Sequence, residues 1–232
     1  MKKIVIIVAG GKGIRMESDL PKQFIPLCGK PVLMHTLAVF HRWDADAEIV
    51  LVLPEAYTSY WAMLCRELNL HIPHRVINGG QTRFHSVRNG LRAFEGDGLV
   101  AIHDAVRPFV ADRVINACFS AAALYGAAIP VIPVKESVRE MIDGQSRPFD
   151  RSRLYIVQTP QVFQTPLLQE AYRHPYAEQF TDDATVWEAA GNPVHLVEGN
   201  PENIKLTTPP DLLYAEAILK FLCPSVPPVP LC

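Results

Sequence analysis

Residues 4–16 read IVIIVAGGKGIRM, and this stretch decides the fold. Residues 4–8 are all β-branched, which is typical of a strand buried on both faces of a sheet. Gly10, Gly11 and Gly13 follow at once, where backbone N–H groups can face an anion without a Cβ in the way. Ligands of open α/β sheets bind at the carboxyl ends of the strands. The stretch therefore predicts an α/β protein with an anion site after its first strand.

Further along the chain, short apolar runs rich in β-branched residues alternate with helical spacing of apolar residues. This alternation predicts a mostly parallel sheet covered by helices on both faces. The predicted strands are residues 4–8, 48–53, 75–78, 99–102, 127–132, 193–197 and 203–206. The predicted helices are residues 32–40, 57–68, 84–94, 112–125 and 182–190, with a last one from 208.

Two segments depart from this alternation. Residues 134–157 are crowded with charges around a turn at Gly144, which predicts a hairpin arm outside the core. A long polar excursion of this kind usually serves function or oligomer contact. Residues 224–232 hold four of the chain's prolines and predict an extended tail, so residues 1–223 are taken as one domain.

Composition excludes several classes of protein. The 232 residues carry 22 Lys and Arg against 24 Asp and Glu, a net charge of −2, whereas nucleic-acid coats and polybasic membrane binders need excess cations. Residues 117–134 are apolar but contain Pro130 and Pro133, so a helix followed by a strand is expected rather than a membrane span. Five widely spaced cysteines without a C-x-x-C pair predict reduced thiols and a cytoplasmic location.

The glycine run matches neither common phosphate-binding fingerprint. Met16 stands where G-x-G-x-x-G needs its third glycine, and no Gly-Lys-Ser or Gly-Lys-Thr follows. What remains is a glycine loop with two cations, Arg15 and Lys22, within reach of whatever the loop holds. The alternative interpretation is a tight turn with two solvated cations.

Two further motifs have both a functional and a structural interpretation. In residues 103–108, HDAVRP, Asp104 can hold a divalent cation and Arg107 a phosphate, or the two can simply pair with each other. His103 faces away from Asp104 on the same strand and is interpreted as structural. In residues 78–87, NGGQTRFHSV, a glycine turn opens a helix and can either bind a base edge or cap that helix.

Several cations lie near predicted strand ends and turns. No motif in the sequence pairs a catalytic nucleophile with a general base. The sequence contains no G-x-S-x-G and no H-E-x-x-H motif. A phosphate monoester is itself nucleophilic, so a reaction between two phosphates needs in-line positioning and cations rather than a general base. The cations are Arg15, Lys22, Arg107, Arg151 and Lys205.

The motifs together resemble the 2-C-methyl-D-erythritol 4-phosphate cytidylyltransferase family over residues 4–219. They are A-G-G-x-G-x-R-M with P-K-Q, G-G-x-x-R-x-x-S-V, H-D-A-x-R-P, D-R-x-x-L-x-x-x-Q-T-P-Q-x-F, T-D-D-A and N-I-K-x-T-x-P-x-D-L. The resemblance implies a doubly wound, Rossmann-like domain and a homodimer whose arm, about residues 134–157, completes the neighbour's site. It implies no nucleic-acid or membrane partner.

The implied reaction joins CTP and 2-C-methyl-D-erythritol 4-phosphate to give 4-diphosphocytidyl-2-C-methyl-D-erythritol and pyrophosphate, with Mg2+ or another divalent cation. Arg15, Lys22, Arg151 and Lys205 would be catalytic. Ala9, Gly10, Gly11, Gly13, Gly80, Gln81 and Ser86 would bind CTP. Asp104, Arg107, Ser137, Thr159 and Thr181 would surround the sugar phosphate, with Asp104 also as metal ligand.

Three departures from the family pattern leave the acceptor open. Gly10 and Val106 stand where alanines are usual, and both variants also resemble D-ribitol-5-phosphate cytidylyltransferases. Ser137 replaces a threonine of the arm but keeps the hydroxyl. One alternative is therefore a D-ribitol-5-phosphate cytidylyltransferase. A second, independent of these departures, is a non-catalytic module that keeps the fold and binds CTP.

Overall fold

The computed structural model describes residues 1–10 and 20–222. Twelve strands and seven α-helices occur in these ranges. The strands are β1 (Lys3–Val8), β2 (Pro26–Leu27), β3 (Lys30–Pro31), β4 (Glu48–Leu53), β5 (Arg75–Asn78), β6 (Leu99–Asp104), β7 (Ala127–Pro133), β8 (Val138–Ile142), β9 (Gln145–Phe149), β10 (Tyr155–Val157), β11 (Gln161–Gln164) and β12 (His195–Glu198). The helices are α1 (Val32–Trp43), α2 (Thr58–Glu67), α3 (Arg83–Leu91), α4 (Asp112–Tyr125), α5 (Thr165–Ala171), α6 (Asp183–Ala189) and α7 (Pro209–Leu222).

Eight of these strands form one sheet in the order β10-β7-β11-β6-β1-β4-β5, with β12 paired to β7. β1 runs parallel to both β4 and β6, and β5 runs parallel to β4. β10 and β11 are antiparallel to their neighbours. The sheet is mostly parallel, and the carboxyl ends of β1, β4, β5 and β6 therefore meet at one edge.

Alternate residues of β1 enter different cores. Val5 and Ile7 pack on one face of the sheet with side chains of α1, α2 and α4. Ile4 and Ile6 pack on the other face with side chains of α3, α5 and α6. Because successive side chains of a strand point to opposite faces, a run of β-branched residues serves both cores. The doubly wound α/β architecture expected from the sequence is confirmed.

The apolar segment from residue 117 to residue 134 divides as expected. α4 ends at Gly126, whose φ of +90° is a conformation that glycine adopts readily, and β7 begins at the next residue. Within residues 1–10 and 20–222, no helix is long and apolar enough to cross a membrane.

The charged segment forms the predicted hairpin. β8 and β9 pair with each other in a separate two-stranded sheet, and Gly144 lies in the turn between them with a φ of +78°. β10 then returns the chain to the edge of the main sheet beside β7.

The predicted strand at residues 203–206 is wrong. These residues are irregular, because their backbone groups pair with the loop that follows β6 rather than with a neighbouring strand. The Asn203 carbonyl accepts a hydrogen bond from Arg107 Nη1 at 2.7 Å, and the Leu206 N–H donates to the Val106 carbonyl at 3.0 Å.

Candidate active site

A cleft of about 300 Å³ opens at the carboxyl edge of the sheet, where β1, β5 and β6 end. The described residues that line it come from five segments of the chain, so the site is built only when the fold is complete. They are Val8, Ala9, Gly10, Lys22, Gln23, Gly80, Gln81, Thr82, Arg83, Asp104, Ala105, Val106 and Lys205.

One wall of the cleft is made of glycine backbone around Ser86. The Ser86 hydroxyl donates to the Thr82 carbonyl at 3.0 Å and accepts from the Gly80 N–H at 3.1 Å. A Cβ on Gly80 would lie 2.4 Å from His85 Cβ, closer than two non-bonded carbon atoms can approach. A Cβ on Gly10 would meet Ser86 Oγ at 3.4 Å. Ser86 thus bonds to the glycine segment after β5 and lies beside the glycine segment after β1.

Asp104, the last residue of β6, is the only carboxylate among the described residues that line the cleft. Lys205 Nζ lies 2.8 Å from its Oδ2, and Arg107 Nε lies 3.7 Å from the same oxygen. Arg83 Nε lies 3.5 Å from its Oδ1. Three cations therefore surround one carboxylate.

These cations determine the charge state of Asp104. Its burial alone would raise the pKa of the carboxyl, but the charges of Arg83, Lys205 and Arg107 outweigh burial and hold that pKa well below its usual range. Asp104 is therefore ionised at neutral pH, and the cluster keeps a surplus of positive charge next to the glycine wall. Such a cluster can bind a polyanion and stabilise charge that develops on phosphorus.

Thr159 and His103 lie behind Asp104. The Asp104 N–H donates to Thr159 Oγ1 at 3.1 Å, and that hydroxyl lies 3.1 Å from His103 Nδ1. His103 Nε2 lies 3.0 Å from the Arg107 carbonyl, which can only accept, so Nε2 carries the proton. His103 is fully buried, and its structural interpretation agrees with these contacts. Thr159, expected near the sugar phosphate, is 6% exposed and braces the end of β6.

The structure brings together many of the predicted residues, but not all. Ala9, Gly10, Lys22, Gly80, Gln81, Asp104 and Lys205 line the cleft. Arg151 and Ser137 are exposed on the arm, and Thr181 is exposed just before α6, so these three do not line it. Ser86, Arg107 and Thr159 do not line it either, but they contact Gly80 and Asp104, which do. Gly11, Gly13 and Arg15 lie outside the described residues.

Sequence reasoning missed the place of Arg83 in this site. Arg83 begins α3, reaches Asp104, and forms a second ion pair with Asp183. The sequence did contain an indication of this role, because Arg83 is the arginine of the G-G-x-x-R-x-x-S-V motif.

Among the described residues that line the cleft, Asp104 is the one carboxylate that could bind a divalent cation. Among the described residues, no group of three or more His, Cys, Asp and Glu side chains is placed to hold a metal. Magnesium is commonly bound by one or two carboxylates together with substrate phosphates. Asp104 fits that mode, with most of the coordination left to a bound nucleotide.

Comparisons with known proteins agree with the fold. The family model described as IspD: 2-C-methyl-D-erythritol 4-phosphate cytidylyltransferase matches residues 3–221. A Bacteroides thetaiotaomicron protein named 2-C-methyl-D-erythritol 4-phosphate cytidylyltransferase is 53% identical over 94% of this chain and 100% of its own length. A Porphyromonas gingivalis protein of the same name is 52% identical over 94% of this chain and 98% of its own. The crystal structure of the Thermus thermophilus enzyme of that name superposes with a TM-score of 0.78 at 34% identity, covering 95% of this chain and 100% of that one.

The fold and the cleft, taken with these matches, define the protein as a nucleotidyltransferase. The chain belongs to the 2-C-methyl-D-erythritol 4-phosphate cytidylyltransferase family.

Proposed function

We propose that this nucleotidyltransferase joins CTP and 2-C-methyl-D-erythritol 4-phosphate, releasing pyrophosphate. The acceptor phosphate attacks the α-phosphorus of CTP, a P–O bond forms there, and the bond to pyrophosphate breaks. The observation that carries the proposal is the meeting of Lys22, Lys205 and Asp104 with the glycine wall in one cleft. Positive charge and backbone amides at one point are what a phosphorus under attack by another phosphate requires.

The glycine segments and the cations have separate tasks in this reaction. The backbone near Gly10 and Gly80 lies next to the nucleotide, and the Gln81 side chain faces its base. Lys22 and Arg15 stabilise the charge on the phosphorus under attack. Lys205 and Arg107 face the acceptor phosphate, with Arg151 supplied by the arm. No general base is needed, because the acceptor phosphate is ionised near neutral pH.

A divalent cation such as Mg2+ would neutralise phosphate charge and help to align the triphosphate when bound. Of the described residues, Asp104 would be its protein ligand. The Lys205 ammonium shares the same carboxylate, so Lys205 is expected to move toward phosphate oxygens when the cation and nucleotide enter.

We further propose that the arm, residues 134–157, packs against a second copy of this chain. Apolar side chains are exposed along it, with Met141 65% and Tyr155 52% exposed. Ile156 beside Tyr155 is 47% exposed, so β10 presents an apolar edge. Contact with a second copy would cover this surface and bring Arg151 to the neighbour's cleft.

The proposal also covers domain organisation and location. Residues 1–223 are taken as one nucleotidyltransferase domain, and a cytoplasmic location is consistent with the unpaired thiols of Cys28, Cys65 and Cys118.

The test is pyrophosphate release with purified protein and Mg2+. CTP is offered with 2-C-methyl-D-erythritol 4-phosphate, and ATP and UTP replace CTP in parallel reactions. Turnover is expected with CTP at a rate well above that with ATP or UTP. Binding of CTP without pyrophosphate release with any acceptor would contradict the proposal and favour a nucleotide-binding module.

D-ribitol 5-phosphate is the second candidate acceptor, because Gly10 and Val106 both line the cleft. These are two of the positions at which the sequence departs from the family pattern. The same assay with D-ribitol 5-phosphate decides between the two acceptors, and a higher kcat/KM for the ribitol ester would reassign the substrate.

A further inference from the structure

Arg83 is held from behind by a carboxylate outside the cleft. Arg83 Nη2 lies 2.6 Å from Asp183 Oδ2, and the Tyr172 hydroxyl donates to Asp183 Oδ1 at 2.6 Å. Asp183 is fully buried and Tyr172 is 2% exposed. Both oxygens of Asp183 are thus occupied, one by the cation that reaches into the cleft and the other by a phenol.

The position of Asp183 is itself fixed by the sheet. Gln161, a fully buried residue of β11, accepts hydrogen bonds at 3.0 Å from the backbone N–H groups of Asp183 and Ala184. Its amide nitrogen donates to Asp182 Oδ2 at 2.8 Å. Because β11 pairs with β6, which ends at Asp104, the two carboxylates that face Arg83 are tied to adjacent strands.

The charges in this network favour one arrangement. Burial lowers the pKa of Arg83, but Asp183 and Asp104 outweigh it and raise that pKa above its ordinary value. Burial and the charge of Asp183 raise the pKa of Tyr172, so its hydroxyl keeps its proton and remains a donor. A protonated phenol and a guanidinium are both suited to one buried carboxylate.

We propose that Asp183, supported by Tyr172, is a positioning residue that holds Arg83 at the rim of the cleft. Asp183 lies 2.6 Å from Arg83, whereas Asp104 lies 3.5 Å from it. Arg83 is therefore drawn away from Asp104, which leaves Asp104 Oδ1 accessible on the cleft side. Without Asp183, the guanidinium would close onto Asp104 and occupy that oxygen. This inference rests on the proposed function, since it assigns Asp104 and Arg83 to the same reaction.

The experiment is a double-mutant cycle of R83Q, D183N and R83Q/D183N. We measure kcat, the KM for CTP and the melting temperature of each variant and of wild type. D183N is expected to lower kcat at least about tenfold, as supporting partners of active-site groups commonly do, with the KM for CTP changed less than about threefold. The kcat of R83Q/D183N is expected to equal that of R83Q within about twofold, because Asp183 acts through Arg83.

The melting temperature is a second readout, in which the double variant is expected to differ from D183N in the direction of greater stability. D183N leaves the partly buried guanidinium of Arg83 without its main partner, so the melting temperature of this variant is expected to fall. The double variant removes both charges, and its melting temperature is expected to exceed that of D183N while its kcat stays at the level of R83Q. Losses of kcat that multiply in the double variant would overturn the proposal and assign Asp183 a purely structural role.

Two further variants keep the test independent of folding. Y172F removes one hydrogen bond to Asp183 but keeps the ring that stacks on Phe84 at 4.7 Å. It is expected to lower kcat in the wild-type background and not in R83Q; equal losses in both would overturn the proposal. D112N is the matched control: Asp112 also pairs with an arginine, Arg42, but it lies on the surface outside the cleft, and the kcat of D112N is expected to match wild type.

The wild-type reaction separates the two proposals. If wild type releases no pyrophosphate with CTP and either acceptor, the proposed function fails. If wild type turns over and the cycle is additive, only the role of Asp183 fails.

Discussion

Lys205 Nζ and Asp104 Oδ2 lie 2.8 Å apart and join the end of β6 to the irregular segment before α7. Asn203, in that same segment, donates from its side chain to the Thr159 carbonyl at 2.8 Å. The segment is therefore fixed both to the loop after β6 and to the residues before β11. The irregular backbone of this segment allows Lys205 to reach the cleft. A strand at the same residues would have paired with the sheet instead.

Replacing Asp104 by Asn should weaken both folding and catalysis. The substitution leaves Arg83 and Arg107 without their shared carboxylate, and breaking a buried ion pair on one side costs about 3–5 kcal/mol. We expect the free energy of unfolding in urea to fall by that order, with kcat reduced as well. E170Q is the control, because Glu170 and Arg173 form a 2.8 Å pair on the surface and such pairs contribute about 0–1 kcal/mol. Equal effects of the two variants would contradict the buried cluster.

Stability should fall as the pH drops from 6.5 to 4. Burial lowers the pKa of His103 to about 4 from its ordinary 6.5, so in this window the unfolded chain binds a proton that the folded chain does not. The contribution of His103 is complete above pH 6.5 and is lost toward pH 4, at about 1.4 kcal/mol per pKa unit. H103Q keeps a donor and an acceptor at this position and should reduce the pH dependence.

The measurement is the urea midpoint of wild type and H103Q at pH 7 and pH 5. Burial also lowers the pKa of His35, which contributes in the same direction, so the prediction concerns the difference between the two proteins. The carboxyl of Asp104 acts at lower pH, below its unfolded value near 4. Identical pH dependence in both proteins would show that His103 is not the group that titrates.

Lys22 should matter for catalysis and not for folding. It lies in the short 3-10 helix Lys22–Phe24 and lines the cleft. Removing one group that stabilises developing charge commonly costs about 10²–10³ in kcat. We expect K22A to lose at least that much in pyrophosphate release at an unchanged melting temperature. K30A, at an exposed lysine of β3, should keep wild-type kcat, and unfolding of K22A would instead make Lys22 structural.

The two glycine segments should respond differently to a methyl group. An alanine Cβ at Gly80 would lie 2.4 Å from His85 Cβ, so the turn must shift, and overpacking of this kind costs about 1–3 kcal/mol. At Gly10 the nearest atom would be Ser86 Oγ at 3.4 Å. We expect G80A to lower the melting temperature and to lose the shift in melting temperature that CTP produces in wild type. G10A should melt like wild type, and a lower melting temperature for G10A than for G80A would contradict the geometry of the wall.

The sequence predicted the helices and strands better than it predicted which side chains pair with each other in the site. A run of β-branched residues is a local pattern, and it correctly indicated β1. The strand predicted at residues 203–206 failed because its competing hydrogen bonds come from Arg107 and Val106, which no local pattern contains.

The two adjacent aspartates at the start of α6, Asp182 and Asp183, illustrate the same limit. A helix-capping argument treats Asp182 and Asp183 alike, since both lie at a helix N-terminus. In the structure only Asp182 caps the helix, by accepting from the Thr185 N–H at 3.0 Å. The side chain of the next residue, Asp183, points into the protein interior and pairs with Arg83 there. Which of two adjacent carboxylates becomes part of a site therefore depends on a tertiary contact, here with Arg83 of α3, 100 residues earlier in the chain.

The position of Arg151 on the arm leads to a prediction about which subunit uses it. Arg151 is exposed beside the Lys135 carbonyl, to which it donates, and it does not line the cleft that contains Lys22. If Arg151 serves the neighbour's site, K22A and R151A should each be inactive alone but complement each other when co-expressed. A mixed dimer then has one site with both side chains intact, and random pairing gives roughly a quarter of wild-type activity.

K22A co-expressed with K205A is the control, because Lys22 and Lys205 line the same cleft and no mixed dimer regains both. Absence of complementation with R151A would place Arg151 in its own subunit's site or outside catalysis. Complementation in the control pair would contradict the assignment of Lys22 and Lys205 to one site.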